Sequence, residues 1–104
     1  MLTLPIKEKW FDMIRQGVKT DEYREKTPYY EARLQRHLGS VIKVKFQNGY
    51  QPNSPFIICD VLVGVGYGRV EWGAEWGKVY FKLSIAGIES EGNINEQRPP
   101  LPEV

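Results

Sequence analysis

The hydrophobic pattern of the chain begins with a short strand and an amphipathic helix. Met1 to Ile6 has the composition of a strand, and Pro5 restricts its pairing to the beginning or to an edge. Apolar side chains then recur at helical spacing at Ile6, Trp10, Met13 and Ile14. Gly17 is well placed to end this helix in the left-handed conformation. The residues from Lys19 to Glu25 include Thr and Tyr, and they predict a second strand.

A second helix and three further strands complete the pattern. Thr27 provides a helix-capping hydroxyl before Pro28, and Gly39 is placed to end the helix. The apolar face of this helix consists of Tyr30, Leu34 and Leu38. The remaining strands are predicted at Val41–Phe46, Phe56–Val65 and Lys78–Ile85. The middle strand of these three is almost continuously apolar, which is typical of a strand covered on both faces.

The order β-α-β-α-β-β-β predicts a single α+β domain. We expect its five strands to curl into a compact barrel, which would protect the strand edges. The domain is predicted to span residues 1–89, because the composition of residues 90–104 becomes polar and then proline-rich, as in a loose tail.

The composition indicates several features that the protein is expected to lack. Hydrophobic residues make up 41% and charged residues 26% of the 104 residues, as in an ordinary soluble domain. No Cys/His cluster has zinc-ligand spacing, so neither a metal nor a cofactor is predicted. The lone Cys59 cannot form an internal disulfide, and the N-terminus lacks the pattern of a signal peptide. The chain is therefore predicted to be cytoplasmic, without a membrane partner.

Charge is distributed unevenly along the chain. Residues 1–45 contain ten Lys and Arg against six Asp and Glu, a balance of +4, whereas residues 46–104 contain four against seven, a balance of −3. The total of +1 can therefore conceal a basic face.

The most informative segment is Gly17 to Arg24, which reads G-V-K-T-D-E-Y-R. Side chains two residues apart share one face of a strand, so Glu22 and Arg24 can pair, and a turn can bring Lys19 over the same face. The two cations suit a phosphate or an oxyanion. Nearby positive charge favours an ionised Glu22, which would orient the cations or accept an N–H from a base. The alternative is a plain ion pair that closes the seam of a barrel.

The pattern Gly17-x-Lys19-x-x-Glu22-x-Arg24, preceded by Trp10-Phe11-Asp12-x-Ile14, resembles the signature of the ASCH domain family of the PUA-like superfamily. The resemblance covers about residues 2–89. It implies a five- to six-stranded β pseudobarrel flanked by two helices, with a cleft lined by Lys19, Glu22 and Arg24. It also implies that the ligand is RNA or a nucleotide-like small molecule.

The resemblance leaves an enzymatic alternative open. One bacterial branch of the family looks like an amidohydrolase acting on N4-acetylcytidine, with a motif lysine and a threonine three residues later, and other relatives are described as ribonucleases. This chain has Lys19 at the lysine position but Glu22 where the nucleophilic threonine would stand. If the protein were a hydrolase, Lys19 and Glu22 would be its catalytic residues. That branch also uses a carboxylate further along the chain, and the candidates for it here are Asp60, Glu71 and Glu75.

Other residues extend the predicted binding surface, although each also fits a solvated surface or a core position. Lys43 and Lys45 share the outward face of one predicted strand, and Lys82 lies on another, as expected of a track of phosphate contacts. Tyr80 is expected to be exposed beside Lys82 and able to stack on a base, whereas the neighbouring aromatic residues are expected mostly in the core. A third hypothesis is a protein-interaction module in which the charged segment only holds the barrel together.

Overall fold

The computed structural model describes residues 1–94 and has the predicted order of helices and strands. Its strands are β1 (Leu2–Pro5), β2 (Asp21–Arg24), β3 (Val41–Gln47), β4 (Phe56–Tyr67) and β5 (Val79–Gly92). Its helices are α1 (Glu8–Arg15) and α2 (Pro28–Leu34), and short 3₁₀ helices lie at Gln35–His37 and Val70–Trp72. The α+β class and the element order are thus confirmed.

The predicted ends of the helices also form. Thr27 Oγ1 accepts a hydrogen bond from the backbone N–H of Tyr30 at 3.4 Å, and Pro28 is the first residue of α2. Gly17 and Gly39 both adopt positive φ, at 75° and 82°. This conformation costs little without a Cβ, so glycine ends both helical segments.

The five strands form one mixed sheet in the order β1-β3-β4-β5-β2. β1 pairs in parallel with β3, and the other neighbouring strands are antiparallel. β1 and β2 are therefore the two edges of the sheet. Arg24 of β2 donates from Nη2 to the backbone oxygen of Pro5 in β1 at 2.7 Å, so the sheet is curved enough for one side chain to connect its edges.

The core lies on one face of this curved sheet and is completed by the helices. Its members from the helices are Phe11, Ile14 and Leu34, and its members from the strands include Leu4, Val44, Phe46, Ile57, Cys59, Val61, Val63, Phe81 and Leu83. The prediction that β4 is covered on both faces is wrong. Its buried residues alternate with partly exposed ones, and Leu62 is 45% exposed.

All five strands differ from their predicted bounds, and the differences in β2 and β5 matter most for the site and for the domain end. β2 begins at Asp21, so Lys19 and Thr20 lie in the preceding turn. β5 continues to Gly92, where it pairs with Phe56, and therefore passes the predicted domain end at residue 89. Arg15 of α1 holds Glu91 in an ion pair of 2.6 Å near this end of β5. The rest of the predicted tail, residues 95–104, lies outside the described residues.

Among residues 1–94, neither helix has the length and apolar character needed to cross a bilayer.

Candidate ligand-binding cleft

The predicted cluster of Lys19, Glu22 and Arg24 forms at the β2 edge of the sheet. The turn after α1 brings Lys19 back over the strand, and its backbone N–H donates to Met13 at 3.0 Å. Glu22 lies opposite Leu83 of β5 and is largely buried. Its Oε1 is 3.1 Å from Lys19 Nζ, and its Oε2 is 2.7 Å from Arg24 Nη2. One carboxylate is therefore held from two sides by cations.

Lys19 is the most deeply buried member of the cluster. Its side chain has no solvent-exposed area, and its ammonium donates to the backbone oxygen of Trp72 at 2.9 Å. The ammonium also lies 4.7 Å from the ring centroid of Tyr23 and 5.2 Å from that of Trp10. Burial lowers the pKa of Lys19, although the neighbouring Glu22 opposes this shift. Glu22 lines a cleft at this edge of the sheet, whereas Lys19 does not line it.

Arg24 is nearly saturated by contacts within the protein. Its Nε donates to Glu22 at 3.1 Å, Nη1 donates to the Tyr30 hydroxyl at 3.0 Å, and Nη2 donates both to Glu22 and to the Pro5 carbonyl. A guanidinium has five N–H donors, so only one remains for a ligand. The expectation that Lys19 and Arg24 jointly grip a phosphate therefore does not match this geometry.

Glu22 is the motif residue that presents an open acceptor position. It lines a cleft of about 500 Å³ between β2, the start of α1, the start of α2 and the loop between β4 and β5. Each carboxylate oxygen can accept about two hydrogen bonds. Oε2 receives two from Arg24, whereas Oε1 receives one from Lys19. Oε1 thus has the capacity to accept one further N–H or O–H donor.

Five of the other residues that line the cleft are aromatic. They are Trp10, Tyr23, Tyr30, Trp72 and Tyr80. The rings of Tyr23 and Tyr80 lie 5.8 Å apart at an interplanar angle of 43°. Aromatic faces beside carboxylate acceptors, which belong to Glu22, Glu25 and Glu75, suit a planar heterocyclic ligand with N–H donors.

The β4–β5 loop is fixed against the cleft by two tyrosine hydroxyls. The hydroxyl of Tyr23 accepts from the backbone N–H of Arg69 at 3.0 Å, and that of Tyr80 accepts from Glu75 at 3.0 Å. Burial raises the pKa of Tyr23. Gly73 passes so close to Trp10 that an added Cβ would stand 3.0 Å from the indole, which explains the glycine at this point of the loop.

Tyr80 lines the cleft, although the alternation of apolar and polar residues along β5 places it on the polar face of the strand. The prediction that it is exposed is wrong, because only 6% of it is accessible and the β4–β5 loop folds over its side of β5. The expectation of a core position also fails for two of its aromatic neighbours. Trp76 is 92% exposed and Tyr67 is 68% exposed.

The predicted lysine track lies away from the cleft. Lys43 is 2.9 Å from Asp60 and 3.2 Å from Glu89, and these hydrogen bonds raise its pKa. Lys45 lies over the ring of Phe56 at 4.4 Å from its centroid. Lys82 is 3.9 Å from Asp21, beside a separate shallow groove. None of these three lysines lines the cleft.

Sequence reasoning did not assign several cleft residues, most notably Trp10, Tyr30 and Lys7. Trp10 and Tyr30 follow the apolar spacing of their helices, so the pattern places them in the core. Glu75 lines the cleft and is the candidate distal carboxylate that does so, whereas Asp60 pairs with Lys43 and Glu71 pairs with Arg69.

The side chains of residues 1–94 support neither metal binding nor nucleophilic thiol chemistry. Within residues 1–94, no three His, Cys, Asp or Glu side chains are grouped so that they could hold a metal ion. Cys59 is buried in the core, where the apolar surroundings raise its pKa to about 12, so its thiol is not activated as a nucleophile.

In comparisons with known proteins, no protein-family model, no curated protein and no solved structure matches this chain.

Proposed function

We propose that this chain is an ASCH-type, PUA-like domain that binds RNA or a nucleotide in the cleft and acts in the cytoplasm. The observation that carries the proposal is the buried carboxylate of Glu22, which is held by Lys19 and Arg24 and still faces a cleft with aromatic walls. Nucleobases offer both features that such a site recognises, a flat π-face and N–H donors on one edge.

The motif residues divide the work of binding in this proposal. Glu22 accepts an amino or imino N–H of the base through the open position of Oε1. Lys19 and Arg24 act as positioning residues, because their contacts fix the orientation of the carboxylate before the ligand arrives. Preorganisation of this kind reduces the entropy cost of binding.

The cleft offers an internal fluorescence probe for the test. The chain has three tryptophans, and replacing the exposed Trp76 by Phe leaves Trp10 and Trp72, which both line the cleft. Titration of Trp76→Phe with the four ribonucleoside 5′-monophosphates and with a short single-stranded RNA at low salt should quench this fluorescence saturably for at least one ligand.

Glu22→Gln in the Trp76→Phe background tests the role of the carboxylate. We expect its affinity to fall about tenfold or more, because the variant has no charged acceptor for the hydrogen bond. Circular dichroism would verify that the variant remains folded. Absence of saturable quenching with every ligand, or unchanged affinity in folded Glu22→Gln, would count against the proposal.

Two observations favour a second candidate, a hydrolase that acts on a modified nucleoside. Lys19 has a lowered pKa and contacts the carboxylate of Glu22, and Glu75 supplies a further carboxylate to the cleft. Purified protein would be incubated with N4-acetylcytidine and with other acylated cytidines. Turnover that is abolished in Lys19→Ala and Glu22→Gln but kept in Lys45→Gln would support this candidate, and no turnover of any of these substrates would contradict it.

A further inference from the structure

A second concave surface draws on β1 and α2, as the cleft does, and has a different chemical character. This surface, the basic groove, has a volume of about 620 Å³ and is lined by Met1, Leu2, Arg33, Arg36, His37, Ile42 and Lys43. Leu2 and Ile42 supply apolar area, whereas every charged or titratable side chain in the described lining is basic. Such a lining favours an anionic ligand.

Two arginines give the basic groove its charge. Arg33 stacks on Tyr29, with its guanidinium carbon 3.5 Å from the ring centroid, and donates from Nη1 to the Tyr29 carbonyl at 2.9 Å. Arg36 donates from Nε to His37 Nε2 at 3.2 Å. Within residues 1–94, no carboxylate forms an ion pair with either arginine, and both keep N–H donors for an anion.

The spacing of the two arginines is unfavourable without an anion. Arg33 and Arg36 are three residues apart at the end of α2 and the start of the following 3₁₀ helix, so they are neighbours on the helix surface. Like charges at this spacing repel each other. Lys43 adds positive charge, but its pairs with Asp60 and Glu89 weaken its contribution.

The same two elements border the cleft and the basic groove. α2 contributes Tyr30 to the cleft, and its far end contributes Arg33 to the groove. β1 contributes Pro5 to the cleft and Leu2 to the groove. The α-helical rise places Tyr30 and Arg33 about 4.5 Å apart along the axis of α2.

We infer that the basic groove binds the phosphates of an RNA strand that has one of its bases in the cleft. Arg33 and Arg36 contact the phosphodiester oxygens, and the ligand of the protein is a strand rather than a free nucleotide. Planar guanidinium groups suit phosphate oxygens, and single-stranded RNA presents unstacked bases and phosphates together. This inference rests on the proposed function for the base but uses residues outside the cleft.

The test compares a short labelled single-stranded RNA with mononucleotides. The double variant Arg33→Gln/Arg36→Gln should weaken RNA binding about tenfold or more, measured by fluorescence anisotropy. It should also flatten the salt dependence by about 0.7 in log–log slope for each phosphate that the variant no longer neutralises. Mononucleotide affinity, measured from the fluorescence of Trp10 and Trp72, should not change.

A matched control removes the same amount of charge elsewhere. Lys45→Gln/Lys82→Gln lowers the net charge equally and lies outside both the cleft and the basic groove. This control should bind RNA with wild-type affinity. Equal weakening in the two double variants, or wild-type RNA affinity and salt slope in Arg33→Gln/Arg36→Gln, would overturn the inference.

The remaining outcomes separate the two proposals. If RNA binds through the arginines while Glu22→Gln leaves the RNA affinity unchanged and no mononucleotide binds in the cleft, the groove inference stands and the proposed function fails. If mononucleotides bind in the cleft and the wild type binds RNA no more tightly than a mononucleotide, the groove inference fails alone. If neither RNA nor mononucleotide binds the wild type, both fail.

Discussion

At the scale of single residues, the buried ammonium of Lys19 links stability to pH. Its pKa in the folded protein is lowered by burial, whereas in the unfolded chain it should have the ordinary lysine value of 10.5. As pH rises between these two values, the unfolded state holds more protons than the folded state. Stability from this group therefore increases with pH across that range.

We predict this trend in the difference between the wild type and Lys19→Met. The free energy of unfolding of the wild type, minus that of the variant, should increase as pH rises from neutral toward 10.5, since the other titrating groups largely cancel. Urea unfolding at a series of pH values measures it. A difference that is flat or decreases with pH would show that the Lys19 pKa is not lowered.

Two glycines of the β4–β5 loop form a matched pair for a second prediction. Gly73 and Gly77 both have positive φ, at 98° and 78°, but only at Gly73 would an added Cβ meet a neighbour, namely the Trp10 indole. Both Gly→Ala changes should cost about 1 kcal/mol of backbone strain. Gly73→Ala should cost more and shift the fluorescence of Trp10.

Thermal unfolding and emission spectra of the two glycine variants would check this prediction. Gly77→Ala serves as the control for strain alone. Equal melting temperatures and identical emission spectra would contradict the close approach of Gly73 to Trp10.

At the scale of elements, the β4–β5 loop is a wall of the cleft that two tyrosines hold in place. Tyr80→Phe removes the acceptor of the Glu75 amide, and Tyr23→Phe removes that of the Arg69 amide. Each change should lower stability by about 1 kcal/mol. Because each hydroxyl serves one amide, hydrogen exchange should accelerate at Glu75 in Tyr80→Phe and at Arg69 in Tyr23→Phe. Equal acceleration of both amides in each variant would indicate that the loop opens as one unit.

The elements also show what local sequence could predict. Gly17, Gly39 and the Thr27–Pro28 pair mark helix boundaries through their own backbone preferences, so the pattern was sufficient there. The lengths of β4 and β5 depend on pairing between distant residues, such as Phe56 with Gly92. The alternating pattern therefore ended β5 too early, at Ile85, and the polar composition that begins at Ser90 placed the predicted domain end before Gly92, the last residue of β5.

The same distinction applies to the candidate site. Lys19, Glu22 and Arg24 are close in sequence, so strand geometry predicted their convergence. Their exposure depends on the β4–β5 loop, which covers Lys19 through the Trp72 carbonyl and encloses Tyr80. No periodicity indicates where a loop folds back, so the pattern could not assign Trp10 to the cleft wall, and it predicted Tyr80 as a binding residue on an exposed face rather than in an enclosed cleft.

At the scale of the whole molecule, the sheet is closed by a side chain rather than by strand pairing. β1 and β2 are the edges, and Arg24 spans them through the Pro5 carbonyl while it also holds Glu22 and Tyr30. One residue thus connects the closure of the sheet with the orientation of the cleft carboxylate. A substitution at Arg24 should therefore change both the free energy of unfolding and the mobility of β1.

Arg24→Met should lower the free energy of unfolding by about 3 kcal/mol or more, because it removes one partner of a buried ion pair and leaves the Pro5 carbonyl without this donor. Hydrogen exchange should accelerate at the backbone amides of β1, while the central pairing of β3 with β4 stays protected. Tyr30→Phe is the matched control, because it removes one contact of the guanidinium and leaves Glu22 and Pro5 bound. It should cost about 1 kcal/mol and leave β1 protected. Unchanged β1 protection in Arg24→Met would mean that the sheet edges are held together without the guanidinium, and that Arg24 acts on Glu22 alone.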